Sequence, residues 1–146
     1  MIAYFDTSAL IPLLVDEPGS ERAARLWEVA DNVIAVRLIY AEARAALAQA
    51  SRTGRVAAAD LPTAMDGLDD LYASLDLLEI DDHLVRRAGE LAQHHALRGY
   101  DAVHLAAAER VRDDTTVMVA GDRDLLAAAG ALGMAVADTS SDAHDR

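Results

Sequence analysis

Four acidic residues stand where solvation alone does not account for a carboxylate: Asp6 in YFDTSAL, Glu42 in YAEARAAL, Asp101 in GYDAVHL and Asp122 in VAGDRDL. Asp6 interrupts an apolar run directly before a hydroxyl pair, Thr7 and Ser8. Asp6, Asp101 and Asp122 each also fit a plainer role, because each precedes or opens a helical stretch whose free N–H groups a carboxylate can cap. Glu42 has no such alternative. The positions three and four residues away are Leu38, Ile39, Ala45 and Ala46, and Arg44, two residues on, points to another face. An acid buried in such surroundings is costly unless a proton or a cation neutralises it.

Converging carboxylates raise one another's pKa values unless a cation sits among them. An all-oxygen set suits Mg²⁺ or Mn²⁺, which retain waters and take only a few carboxylates. Such an ion can hold a phosphodiester oxygen and acidify a water, so hydrolysis of a phosphodiester is the implied chemistry. The histidines add little. His94 and His95 are adjacent on one helix and cannot face one site together, and His83 and His104 suit cap or surface roles. His104 also stands three residues after Asp101, where it could orient that carboxylate, and His144 in the tail is given no role.

The elements that must position these acids alternate between short apolar runs and Ala-rich helical stretches, the pattern of an α/β fold with a mainly parallel central sheet flanked by helices. Strands are expected at Ile2–Phe5, NVIAV, LDLLEI, TTVMVA and MAVAD. Helices are expected over Ala9–Val15, from about Ser20, over RLIYAEARAALAQASRTG to near Gly54, and from about Ala57 through MDGLDDLYASL, with Pro62 in its first turns or marking a break. Three more follow: DDHLVRRAGELAQHHAL, capped by Asp81 and stopped at Arg98-Gly99; YDAVHLAAAERVRD, with Asp101 in its first turn; and the helix of GDRDLLAAAGALG. This places Glu42 about a turn and a half into its helix. One domain is expected over residues 1–138, with 139–146 a polar, frayed tail. Asp6 and Asp122 then fall at carboxyl ends of parallel strands, where open α/β sheets bind ligands, with Asp101 packed nearby.

Composition narrows the chemistry. The chain has 146 residues and no cysteine, which removes disulfides, thiolate catalysis and thiolate metal sites. All thirteen basic residues are Arg, so phosphate-binding loops, Schiff-base enzymes and receiver-type phosphoacceptor domains, each needing a Lys, are excluded. A phosphatase acting through an aspartyl phosphate would need a second Asp two residues after the first, where Ser8 stands. The formal charge of −12 counts against a polyanionic substrate unless bound cations or a local Arg patch offset the field. No signal peptide or membrane span is expected, and the cytoplasm fits best.

Taken in order along nearly the whole chain, YFDTSAL, YAEARAAL, LRGYDAVHLAAA and GDRDLLAAA resemble the PIN-domain ribonucleases and, within them, the VapC-type toxins of bacterial toxin–antitoxin pairs. The resemblance implies that Asp6, Glu42, Asp101 and Asp122 form the acidic Mg²⁺ or Mn²⁺ site of an endoribonuclease. Ser8 would support the first carboxylate and Asp124 would be an auxiliary acid. It further implies an RNA substrate, a homodimer and a cognate VapB-type antitoxin inserted in the active-site groove. Family members often carry Thr or Ser two residues before the fourth acid; here that residue is Ala120, and Gly121 would instead let the backbone approach the ion. Arg37, Arg44, Arg98 and Arg123 neighbour the acids and are candidates for guiding RNA, or are simply solvated. The competing function is a PIN-fold regulatory module that binds RNA or protein without turnover, which Ala120 and the acidic charge both suit.

Overall fold

The structure is a computed structural model that describes residues 1–142. Five strands run β1 (Ile2–Phe5), β2 (Asn32–Val36), β3 (Asp76–Leu78), β4 (Thr116–Ala120) and β5 (Ala135–Asp138). They form one sheet in the order β3-β2-β1-β4-β5, and every pairing is parallel, so the mainly parallel sheet is wholly so. The first crossovers, carrying α1 (Thr7–Leu10), α2 (Ser20–Val29), α3 (Ile39–Arg52) and α4 (Leu61–Ser74), lead from the centre to the β3 edge. The chain then returns through α5 (Asp82–His95) and α6 (Gly99–Val111) to β4, and through α7 (Arg123–Ala131) to β5.

Strand alternation sorts the core into two layers. Tyr4, Val36, Met118 and Ala120 face a cluster built from α5, α6 and α7, while Ala3, Phe5, Ala35 and Val119 face one built from α1, α3 and α4. Side chains such as Leu47 and Leu105 are wholly buried, each worth about 1.5–3 kcal/mol relative to exposure. Because β2 and β4 leave β1 in opposite directions, a crevice opens at the carboxyl ends of β1 and β4, the switch point of a doubly wound sheet.

Several boundaries differ from the sequence reading. The first helix begins at Thr7 and passes into a 3₁₀ turn over Ile11–Leu13, because Pro12 has no N–H to give an α-helical ladder. The stretch after Ala57 opens as a 3₁₀ turn over Ala58–Asp60, and α4 proper starts at Leu61 with Pro62 in its first turn. α5 stops at Ala96, which takes the left-handed conformation at φ 53°, rather than at Arg98-Gly99. Arg98 is thereby left extended as the residue entering α6. α3 starts at Ile39, so Glu42 lies in its first turn and not a turn and a half in. Thr139, assigned to a frayed tail, is buried, and its N–H donates to the Ala120 carbonyl at 2.9 Å. Asp142 accepts the Arg22 N–H at 2.7 Å; the rest of the tail, residues 143–146 with His144, lies outside the described residues.

Candidate active site

Each of the four acids is fastened by one carboxylate oxygen. Asp6 follows β1 and its Oδ2 accepts from the Ser8 N–H at 3.2 Å and the Ser8 hydroxyl at 2.6 Å. The same hydroxyl accepts the Gly121 N–H at 2.8 Å, so one serine ties the turn after β1 to the turn after β4. Asp122 caps α7, its Oδ1 accepting from Asp124 N–H and Leu125 N–H at 3.0 and 3.1 Å. Asp101 is not a cap. It is the third residue of α6, and its Oδ2 accepts from Arg98 Nε at 3.0 Å. Capping therefore holds for Asp6 and Asp122, but their second oxygens are left over.

Glu42 finds its partners from across the crevice. Its Oε1 accepts from the Thr7 hydroxyl at 3.1 Å and lies 2.6 Å from His104 Nε2. His104 is the main residue the sequence reading misplaced. It is neither a surface nor a cap residue and it does not touch Asp101's hydrogen-bonded oxygen; its side chain is wholly buried, with Nδ1 3.0 Å from the Tyr4 hydroxyl and Nε2 3.4 Å from Asp6 Oδ1. The available signal was its setting. It stands among Ala102, Leu105, Ala106, Ala107 and Ala108, all buried, so α6 is covered on nearly every side and has no surface for a histidine at that position.

The charges couple. Burial pushes the Asp101 carboxyl above its ordinary value, Arg98 works against that, and Asp6 and Asp122 add to the rise. For His104 burial pulls the pKa down, but the Asp6 charge, the bond to Glu42 and the more distant Asp101 outweigh it and hold the pKa above its usual value. Burial, then Asp6, keeps the Tyr4 hydroxyl protonated.

A model of the PIN domain family matches residues 3–131. The chain belongs to the PIN-domain family. Within it the chain stands with the VapC-type proteins: it is 41% identical to Ribonuclease VapC45 of Mycobacterium tuberculosis, over 97% of this chain and 98% of that one. Among solved structures it is similar to PAE2754 from Pyrobaculum aerophilum, with TM-score 0.69 and 26% identity over 93% of this chain and 92% of that one. A toxin–antitoxin complex from Klebsiella pneumoniae shares the fold at TM-score 0.66 and 19% identity, over 95% and 98% of the two chains.

In this PIN domain the acids form two pairs, each around a basic group. His104 stands between Asp6 and Glu42, and Arg98 between Asp101 and Asp122, whose Oδ2 is 3.7 Å from Nη2. Among the described residues, no three acid or histidine side chains converge closely enough as placed to hold a metal ion. The donor set is nevertheless of the right kind. Asp6 Oδ1, Glu42 Oε2, Asp101 Oδ1 and Asp122 Oδ2 accept no hydrogen bond among the described residues, giving four carboxylate oxygens of the hardness that Mg²⁺ and Mn²⁺ prefer.

Of the four arginines singled out from the sequence, only Arg98 joins the acids. Arg37 is held by Glu79 and by the Tyr72 hydroxyl at 2.9 Å, and Arg44 lies over the Tyr40 ring and donates to its hydroxyl at 3.1 Å. Arg123 opens α7 exposed, with no ion pair among the described residues. Asp124 lines a separate hollow with His95 and Ala96. Ala120 is buried against the α5–α7 layer, so a hydroxyl there is replaced by nothing on its own face. Gly121 approaches the Ser8 turn instead: a Cβ on it would lie 3.4 Å from the Ser8 carbonyl oxygen.

Proposed function

We propose that this PIN domain is a metal-dependent endoribonuclease toxin of the VapC type, hydrolysing RNA phosphodiester bonds at the Asp6, Glu42, Asp101 and Asp122 cluster. The observation that carries this reading is that all four carboxylates are anchored by one oxygen while the other accepts no hydrogen bond among the described residues, at the switch point of the sheet. Those four acids would hold a Mg²⁺ or Mn²⁺ ion, which would supply positive charge to a phosphodiester oxygen and lower the pKa of a water. The protein's own part is positional. Ser8 keeps Asp6 from rotating, Thr7 and His104 hold Glu42, and the α7 N–H groups hold Asp122.

Arg98, whose side chain is 81% exposed, is free to turn from the acids to a substrate phosphate, and the exposed Arg123 lies on the same side of the sheet. Arg37 and Arg44, tied to neighbouring tyrosines, guide RNA only at the margin. Asp124 is at most an auxiliary acid. The names of the relatives, a ribonuclease and a toxin–antitoxin complex, support a toxin silenced by a cognate VapB-type antitoxin; that it is a cytoplasmic homodimer whose antitoxin lies over the acids is part of the same proposal. No described helix is long and apolar enough to cross a membrane.

The test is cleavage of RNA in Mg²⁺ or Mn²⁺ by the wild-type chain and by Asp6→Asn. Cleavage that disappears in the variant and in chelator supports the reading. Equal activity in both refutes the assignment of this centre, and none in either refutes the reading in favour of a binding module without turnover.

A further inference from the structure

A buried histidine is expensive, and an apolar side chain would fill the same space more cheaply. His104 has no exposed surface, yet all its polar neighbours belong either to the acidic centre or to the residues flanking Asp6: Tyr4, Thr7, Asp6 and Glu42. The network fixes which nitrogen carries hydrogen. The Tyr4 hydroxyl accepts the Val36 N–H at 3.3 Å, and its own hydrogen has His104 Nδ1 at 3.0 Å as acceptor. A ring that accepts at Nδ1 carries its hydrogen on Nε2. Nε2 lies 2.6 Å from Glu42 Oε1. If the ring takes a second proton, Nδ1–H turns to the Tyr4 oxygen and Nε2–H still points at Glu42, so the donor is the same in both states. Flipping the ring would put carbon against both partners and lose both bonds.

We infer that His104 is a positioning residue for the acidic centre: with Tyr4 assigning its hydrogen to Nε2, it holds Glu42 by Oε1 and leaves Oε2 as the oxygen that Glu42 presents to a cation. Tyr4 and Asp6 lie on the same strand end, so β1 sets both the first acid and, through the histidine, the second. The inference rests on the metal-nuclease reading, and groups of this kind behind a ligand commonly change metal affinity by about 10–100-fold.

The test uses calorimetric titration of the whole protein with Mn²⁺, alongside kcat and KM for RNA cleavage and circular dichroism to confirm folding. His104→Ala is expected to weaken Mn²⁺ binding by about 10-fold or more and to lower kcat with little change in KM. His104→Gln, whose amide N–H can reach Glu42, is expected to recover most of that loss. Tyr4→Phe, which removes the hydroxyl that fixes Nδ1 and so the ring's orientation towards Glu42, should weaken Mn²⁺ severalfold and keeps the question open to measurement if His104→Ala does not fold. Wild-type Mn²⁺ affinity in folded His104→Ala or in Tyr4→Phe, or a glutamine variant no better than alanine, overturns the inference alone. A wild-type chain that takes up no Mn²⁺ overturns the metal reading and this inference together.

Discussion

Replacing Ser8 by alanine removes the one hydroxyl that joins the two turns of the centre. It breaks the 2.6 Å bond to the Asp6 carboxylate and the 2.8 Å bond from the Gly121 N–H. A hydrogen bond to a charged acceptor contributes about 1.5–3 kcal/mol, and a donor left unpaired costs about 1–3 kcal/mol. Ser8 and Gly121 are both partly exposed, so water can replace some of what is lost, and the sum settles at about 2–4 kcal/mol. For a chain of this size that lowers Tm by roughly 6–13 °C in calorimetry. The functional effect follows from freeing Asp6 Oδ2, which keeps only the Ser8 N–H at 3.2 Å, and is expected as a 10-fold or greater loss of Mn²⁺ affinity, within about 10–100-fold. Combining Ser8→Ala with Asp6→Asn should give a coupling energy of about 1 kcal/mol or more, because the charged partner is then already gone. A Tm within a degree of wild type, or strict additivity of the two substitutions, would show that the hydroxyl bridges nothing.

Asp122→Ala should lose about 1 kcal/mol of stability through the α7 cap while Asp122→Asn keeps it, and both should lose RNA cleavage; thermal melts beside cleavage assays separate the two roles. The Arg110 bond and the Leu84 N–H hold the Asp81 carboxyl at about 2, against 3.8 when free. The folded protein therefore binds this proton less readily than the unfolded chain, and the stability so gained is complete above about pH 4 and lost as pH falls towards 2. Asp81→Asn should flatten the urea-denaturation midpoint across that window, and an unchanged acid slope would remove Asp81 from the account. A Cβ on Gly19 would lie 1.8 Å from the Thr139 carbonyl oxygen, so Gly19→Ala should push the chain after β5 off α2, read as faster hydrogen exchange at the Thr139 N–H and a lower Tm.

The sheet was legible in the sequence because its strands are short, apolar and separated by helices with clear ends. The segments read as strands all became strands, with edges moved by a residue or two. The acids were legible as a set because Glu42 lacks any partner on its own helix and the other three fall at the starts of helices. The role of Ser8 beside Asp6 was what the family resemblance implied, and the structure gives it a second bond, to Gly121, that no local pattern encodes. His104 and Thr7 were missed for a related reason. Their partner is Glu42, 62 and 35 positions away, and the contacts exist only once the helices on the two faces of the sheet come together at the carboxyl end of β1. Arg98 was singled out as a neighbour of Asp101, but its place between two acids depends on the left-handed turn at Ala96, a conformation that alanine does not announce.

The strand order also governs when the centre comes into being. β1 lies far ahead of β4 in the chain, yet the Asp6 N–H that follows it bonds to the Val119 carbonyl and the Ser8 hydroxyl waits on Gly121, both contributed by β4 and the turn that follows it. A chain truncated before residue 116 contains Asp6, Glu42 and Asp101 but has neither the strand that fixes the first nor the fourth acid. The four acids therefore come together only once β4 and the turn after it have been made.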